Sequence, residues 1–430
     1  MANLRSSAKE VGELSTLEEV TIEKLVHGGQ GLGSLPDGRR VFVWNALPQE
    51  VLKIRLLKAK KGFAEAIAEE VIKASPDRVE PVESASYLAT SPWQMMNFAA
   101  ENRYKKDILI ETFEREKIKL PEFEFIHDDR ELGYRSKMEF GLWGDDDGIN
   151  LAHFVRGSHG KTKVKGSALA PKELNQAAAA VLAEINSYKM RAGDIKSLMA
   201  RTDQAGHAVV ALFVKREDFR RIKKPTNVQG LAVYYSNPKS PASVATKLLY
   251  VEGERTLHDT ILETDFSYDV LSFFQVNLPV FEKAAQRIKS FVKGSKNIVD
   301  LYSGVGSIGI PVGAHVLVEI EEANAAMAIQ NVGDKHIEVV HASTEKALDC
   351  ITSKSCIIVD PPRAGLHAHV TQKIIDVKPP KVVYLSCNPS TQARDVKLLT
   401  DAGYKLTTFE GYNFFPRTPH IESLAVLELM

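Results

Sequence analysis

The sequence predicts an α/β catalytic domain on a doubly wound, mostly parallel seven-stranded sheet, preceded by a small N-terminal β-barrel and an α+β central domain. Three observations carry this expectation. The last third alternates apolar strands with helical stretches, and its final two strands have only a loop between them. The N-terminal region runs as short alternating strands broken by glycines. The chain of 430 residues has room for two or three domains, set here at 14–74, 75–264 and 265–430.

The barrel strands are expected at 20–25, 40–44 and 50–56, with 63–72 closing the ring. Between the first two lies His27-Gly28-Gly29-Gln30-Gly31-Leu32-Gly33, where clustered glycines allow tight turns. Lys53, Arg55, Lys58, Lys60 and Lys61 form a basic row that serves either as an RNA-binding face or as a solvated surface. The polar start of the chain is expected to fray.

Residues 98–119 contain no Pro or Gly and read as one long helix, a candidate to pack on the catalytic domain. Beyond it, strands alternate with one clear helix at 171–188. Two basic groups lie in this region, Arg156, Lys161, Lys163 and Lys165 with His159, and Lys215, Arg216, Arg220, Arg221, Lys223 and Lys224 diluted by Glu217 and Asp218. Each can meet phosphates or be ordinary surface.

The catalytic strands fall at 297–302, 315–320, 337–341, 356–360 and 381–386, with an antiparallel pair at 404–409 and 423–429. A glycine-rich turn, Ser303-Gly304-Val305-Gly306-Ser307-Ile308-Gly309, follows the first strand, and a helix after it would present free N–H groups. Glu319 ends the second strand, where a carboxylate can accept both ribose hydroxyls of an adenosine. Dinucleotides and S-adenosylmethionine share these parts. The short spacing from Gly304 to Glu319, the late glycine turn and the antiparallel end of the sheet favour S-adenosylmethionine.

Composition narrows the classes. Lys and Arg total 55 and Asp and Glu total 55, so any nucleic-acid contact must be local. The three cysteines, Cys350, Cys356 and Cys387, exclude a disulfide scaffold and a four-cysteine metal site. Residues 1–16 have no apolar core, and no apolar run nears the ~18 residues of a membrane helix, so a cytoplasmic protein is expected.

Three segments end strands where such a sheet binds ligands: Asp360-Pro361-Pro362-Arg363, Ser386-Cys387-Asn388-Pro389 and the loop Phe415-Pro416-Arg417-Thr418-Pro419-His420-Ile421-Glu422. Together with Ser272-Phe273-Phe274-Gln275-Val276-Asn277 they resemble the signature set of the RNA uracil-5-methyltransferases, which are class I methyltransferases. The N-terminal barrel resembles a TRAM domain, an OB-like RNA-binding module. The resemblance spans nearly the whole chain. It is weakest in the central region, where only Gly133-Tyr134-Arg135-Ser136-Lys137 and Arg156-Gly157-Ser158-His159 carry it.

The resemblance implies S-adenosylmethionine as cofactor, Cys387 as nucleophile and Glu422 as proton acceptor. Carbon 5 of uracil is too weak a nucleophile until a thiolate adds at carbon 6, and a base must then remove the carbon 5 proton. Gln275, Tyr302, Gly304, Gly306, Glu319 and Ser307, where many relatives carry Asn, correspond to cofactor contacts. Asp360 meets the cofactor, the uracil or both, and Arg363 joins the basic row of the barrel as an RNA contact. Cys350 and Cys356 are read as structural, His420 as an orienting residue, and Phe273, Phe274, Phe414 and Phe415 as core or pocket wall. His420 and Glu422 lack a third ligand for zinc, so no metal is expected.

Many relatives bind an iron–sulfur cluster with four cysteines, three of them just before the long helix. Residues 87–96 here contain none, so no cluster is expected and apolar packing takes its place. The expected partner is RNA, with 23S ribosomal RNA preferred because the TRAM-like barrel accompanies that branch, and the T-loop uridine of tRNA as alternative. A monomer without membrane association is expected. An amino-group methyltransferase, whose Asp-Pro-Pro-Tyr loop is similar to 360–363, and a non-catalytic RNA-binding assembly factor are the more distant readings.

Overall fold

Residues 17–158 and 160–430 are described by the structure, a computed structural model. The polar start of the chain, residues 14–16 of the expected barrel and His159 lie outside the described residues. The chain divides into two units. The first takes the chain up to Ile108 with Phe154–Thr162 and Arg417–Pro419, and the second takes Leu109–His153, Lys163–Pro416 and His420–Met430.

In the first unit, strands Glu18–Leu25, Gly31–Ser34, Arg40–Trp44, Phe63–Lys73 and Val51–Ala59 close into a barrel in that order. Alternate residues point inward, and Val20, Ile22, Val41, Val43, Leu52, Ile54, Ala64 and Ala66 fill the core. The glycine cluster is only partly the turn expected of it. Gly28 and Gly29 turn at φ 98° and 97°, whereas Gly31 and Gly33 sit in a strand because neighbours crowd them. A Cβ on Gly33 would lie 2.5 Å from Val20 Cγ1 and 2.7 Å from the Thr21 carbonyl oxygen.

The segment 87–96 forms two short helical turns, Tyr87–Thr90 and Pro92–Met95. Trp93, Met95 and Met96 are buried there, and the Trp93 indole N–H donates to the Gly29 carbonyl at 3.1 Å. The long helix runs Phe98–Arg115, shorter than its composition implies. Lys117 takes a left-handed φ of 60°, and the Ile118 N–H bonds back to the Phe113 carbonyl at 3.0 Å, which closes the helix. In the second unit the Phe113 ring meets Phe409 edge-on at 4.9 Å.

The second unit holds two large sheets and a two-stranded one, Thr256–Ile261 antiparallel to Thr264–Asp269. In the first, strands Lys247–Gly253, Gly230–Tyr235, Ala208–Val214, Ile195–Thr202, Lys137–Asp145 and Gly148–Phe154 lie side by side. Helix Lys172–Ser187 covers one face through Leu174, Ala177, Ala178, Val181 and Ile185. The opposite face contributes Val209, Ala211 and Phe213 to the core under the second sheet.

That second sheet runs Glu338–His341, Val316–Glu319, Ile298–Leu301, Cys356–Val359, Lys381–Ser386, Glu422–Leu429, Tyr404–Tyr412 and Phe125–Ile126. The first five strands are parallel. Glu422–Leu429 is antiparallel to both of its neighbours. The seven expected strands are thus joined at the edge by an eighth, two residues long. Its pairing had no signal, because two residues show no periodicity.

Gly33→Ala should destabilise the barrel by about 1–3 kcal/mol, because the new methyl meets backbone and cannot be accommodated by rotation. Gly62→Ala, with nothing within 4 Å of its Cβ position, should be neutral; thermal melts of the two variants check the difference.

Candidate active site

Parallel strands end in one row, and the order reverses between Ile298–Leu301 and Cys356–Val359, where doubly wound sheets open a crevice. Tyr302, Asp360 and Cys387 each follow the last residue of a strand, and Glu319 is itself a last residue. Glu422 opens the antiparallel partner of the Cys387 strand. The register pairs Ser386 with Ser423, so Cys387 and Glu422 stand one step beyond that pair.

The electrostatics tie these groups together. Burial, then the carboxyls of Glu422 and Asp360, push the Cys387 thiol up to about 12, against the pull of Arg363. Burial and Asp360 hold Glu422 well above the ordinary carboxylate range, again opposed by Arg363. Burial pushes Asp360 up to about 7. Each charge is expensive because water is excluded.

The helix after Cys387, Pro389–Asp401, braces the site. The Gln392 amide donates to the Tyr384 carbonyl at 2.9 Å and the Ser423 carbonyl at 3.1 Å, and accepts from the Ser423 hydroxyl at 2.6 Å. Asn388 caps the helix by accepting from the Ser390 N–H, and its Nδ2 donates to the Arg363 carbonyl at 2.7 Å. Asp395 accepts from the Leu366 N–H and the Tyr384 hydroxyl, each at 2.8 Å. Gly365 must be glycine here, because its φ is 80° and a Cβ would lie 2.6 Å from Asp395 Oδ2.

The glycine turn separates into two roles. Gly304, at φ 57°, faces open space apart from Phe273, whose ring edge lies 3.9 Å from the Cβ position. Gly306, at φ 86°, is packed instead, since a Cβ there would lie 2.5 Å from Ile310 Cδ1. The Cβ direction is thus open at Gly304 and filled at Gly306. The helix after the turn is also shorter than expected, a single turn Gly309–Val312 stopped by Gly313 at φ 77°. Glu319 is anchored by the Gly304 N–H on Oε2 and the Glu321 N–H on Oε1, both at 2.8 Å. Tyr302 holds a left-handed φ of 64°, and burial raises its hydroxyl pKa. Gln275 and Ser307 are buried.

Asp300 was not singled out from sequence. It is wholly buried, neither carboxylate oxygen makes a well-formed hydrogen bond, and the nearby Gly309 N–H relieves its charge only in part. Burial, Asp360 and Glu319 raise its pKa well above the carboxylate range. Its signal was a lone acid inside the apolar run Ile298-Val299-Asp300-Leu301. An open glycine cradle, an anchored carboxylate at the next strand's end and an unsatisfied acid beneath suit a cationic adenosyl ligand, and S-adenosylmethionine fits the donors present. Among the described residues no cluster of His, Cys, Asp and Glu can hold a metal ion, and no helix is long and apolar enough to cross a membrane.

Other residues fall elsewhere. Phe274 and Phe414 are core, but Phe273 is 62% exposed. On the barrel, Lys53 pairs with Glu70 at 2.7 Å and Arg55 with Glu69 at 2.6 Å, so both charges are partly neutralised. Lys58, Lys60 and Lys61 are exposed. Arg156 is structural: it lies over the Trp44 ring at 3.9 Å and donates to the Leu88 carbonyl. In the second basic group, Arg216 pairs with Asp218 and Arg221 with Glu252, while Lys224 donates to the Val228 carbonyl.

Comparison with known proteins shows the family and the fold. The family model described as tRNA (Uracil-5-)-methyltransferase matches residues 98–429, and the TRAM domain model matches residues 15–68. An uncharacterized RNA methyltransferase of Halalkalibacterium halodurans is 30% identical over 449 residues, covering 96% of this chain and 96% of its own. One from Fusobacterium nucleatum is 27% identical over 451 residues, covering 97% and 96%. The fold is similar to that of Pyrococcus abyssi tRNA (uracil-54, C5)-methyltransferase solved with S-adenosyl-L-homocysteine, with a TM-score of 0.77, 24% identity and coverage of 95% of this chain and 100% of that one. With the family model covering most of its length, the chain belongs to the (uracil-5-)-methyltransferase family of S-adenosylmethionine-dependent RNA-modifying enzymes, here preceded by a TRAM domain.

Proposed function

We propose that the protein methylates carbon 5 of a specific uridine through a covalent bond between Cys387 and the pyrimidine ring. The observation that carries this reading is the meeting of Cys387 and Glu422 across one antiparallel step, with Asp360 and Arg363 acting on both. Cys387 Sγ adds to carbon 6 of the uracil, and the electron pair of the 5,6 double bond moves into an enolate over carbons 5 and 4. S-adenosylmethionine, when bound, supplies the electrophilic methyl group that carbon 5 takes up. Glu422 then removes the carbon 5 proton, the double bond re-forms, and Cys387 leaves as thiolate. Burial strengthens Glu422 as a base, and Arg363 is the side-chain cation that favours the thiolate. Gln275, Tyr302, Gly304, Ser307, Glu319 and Asp360 hold the cofactor, while Gly306 packs the turn that presents Gly304.

In this reading residues 14–74 and 75–264 grip RNA, and residues 265–430 carry the chemistry. The target base leaves its stack to reach Cys387. The preferred substrate is 23S ribosomal RNA, on the resemblance of the barrel to the branch that carries one. A tRNA uridine is the second reading, favoured by the family description and by the substrate named for the Pyrococcus abyssi enzyme. The protein acts as a cytoplasmic monomer.

Glu422→Gln should form the adduct but fail to resolve it, leaving RNA on the protein as a slow band on a denaturing gel, while Cys387→Ala gives no band. Sequencing the trapped RNA identifies the substrate, and normal product release by Glu422→Gln removes it as the base. Because the thiolate of the ligand-free site forms only toward pH 12, alkylation of Cys387 by iodoacetamide should keep rising about tenfold per pH unit through pH 10, instead of levelling near the ordinary thiol value of ~8.5; site-resolved mass spectrometry reads this. Lys58→Glu with Lys60→Glu should weaken RNA binding and lower the slope of log affinity against log salt by about one to two, with cofactor affinity unchanged.

A further inference from the structure

Residues 270–277 link strand Thr264–Asp269 to helix Leu278–Val292 and carry Phe273 and Gln275. Irregular backbone has no ladder to satisfy its carbonyls, so buried ones need donors from elsewhere. One side chain supplies most of them. Arg201, on strand Ile195–Thr202, is 0% exposed. Its Nη1 donates to the Ser272 carbonyl at 2.6 Å and the Asp269 carbonyl at 3.4 Å, and its Nη2 to the Phe274 carbonyl at 3.2 Å.

The guanidinium lies over the Tyr268 ring at 4.4 Å, and the Tyr268 hydroxyl donates to Asp259 at 2.6 Å. Lys137, paired in register with Arg201 on the adjoining strand, adds bonds to the Leu271 and Ser272 carbonyls at 3.3 and 3.4 Å. Taking a guanidinium wholly out of water is costly. Among the described residues no carboxylate forms an ion pair with Arg201, and its fork is spent on the carbonyls of this segment and of Asp269 just before it.

We propose that Arg201 is a positioning residue for cofactor binding, holding the carbonyls of Asp269, Ser272 and Phe274 so that the backbone presents Gln275 to S-adenosylmethionine. This rests on the reading of Gln275 as a cofactor contact. A rigid first contact requires a locked support, and here the support belongs to the neighbouring sheet.

The test uses the full chain with Arg201→Met, Arg201→Lys and Gln275→Ala. It measures binding of S-adenosylhomocysteine by calorimetry, KM for S-adenosylmethionine and for RNA, kcat and the melting temperature. Arg201→Met should weaken S-adenosylhomocysteine about tenfold or more and raise KM for S-adenosylmethionine in proportion, with kcat and the RNA KM within about twofold. Arg201→Lys should be intermediate, since an ammonium cannot span three carbonyls. Should Arg201→Met fail to fold, Arg201→Lys carries the comparison alone. Unchanged affinity in the Arg201 variants with a loss in Gln275→Ala overturns the positioning role and leaves Gln275 standing. Unchanged affinity in all of them overturns both, and a loss in the Arg201 variants that Gln275→Ala does not share overturns the proposal by marking the effect as general.

Discussion

Gln392 bonds simultaneously to the strand that leads into Cys387 and to the strand that begins with Glu422, and the geometry of the candidate site depends on that lock. A slip of one residue between these strands would send one of the two groups to the other face of the sheet. The separation of thiol and carboxyl is thereby written into β-sheet register, which is stiffer than any loop. Asn388 and Asp395 extend the same bracing to the loop of Asp360 and Arg363, so one helix braces the strand end before Cys387 and the loop after Val359.

The second constraint is electrostatic. Asp300, Asp360 and Glu422 are all withdrawn from water near the carboxyl edge of the sheet, and Asp360 makes a negative charge on Asp300 and on Glu422 harder to hold. Cys387 inherits the cost. A crevice poised in this way is complementary to a cation, which is the character of a sulfonium cofactor. It also holds Cys387 as the thiol, whereas the thiolate is the reactive form of a cysteine.

Much of the site was legible because its residues sit at strand ends, and strand ends can be counted from apolar runs. The proline pair after Asp360 and the Ser-Cys-Asn-Pro turn mark such ends in the sequence itself. The division of labour between Gly304 and Gly306 was not legible: both turn with positive φ, and only the position of Ile310 makes the second a packing residue. Phe273 and Phe274 are adjacent and chemically identical, yet one is exposed and the other core. The basic clusters were left between phosphate contact and ordinary surface for the same reason, since the partners of Arg156 and Arg221 are distant in sequence.

By itself the sequence determined the βα rhythm, the antiparallel finish of the sheet, the barrel and the placing of the candidate residues at strand ends, because these follow from local periodicity, turn chemistry and motifs a few residues long. Tertiary structure alone decided which charges are buried and what braces them. Arg201 and Gln275 are far apart in the chain, and Asp300 becomes an orphaned acid only when strands close over it. Desolvation depends on every atom that excludes water from a site, and no short window of sequence contains those atoms.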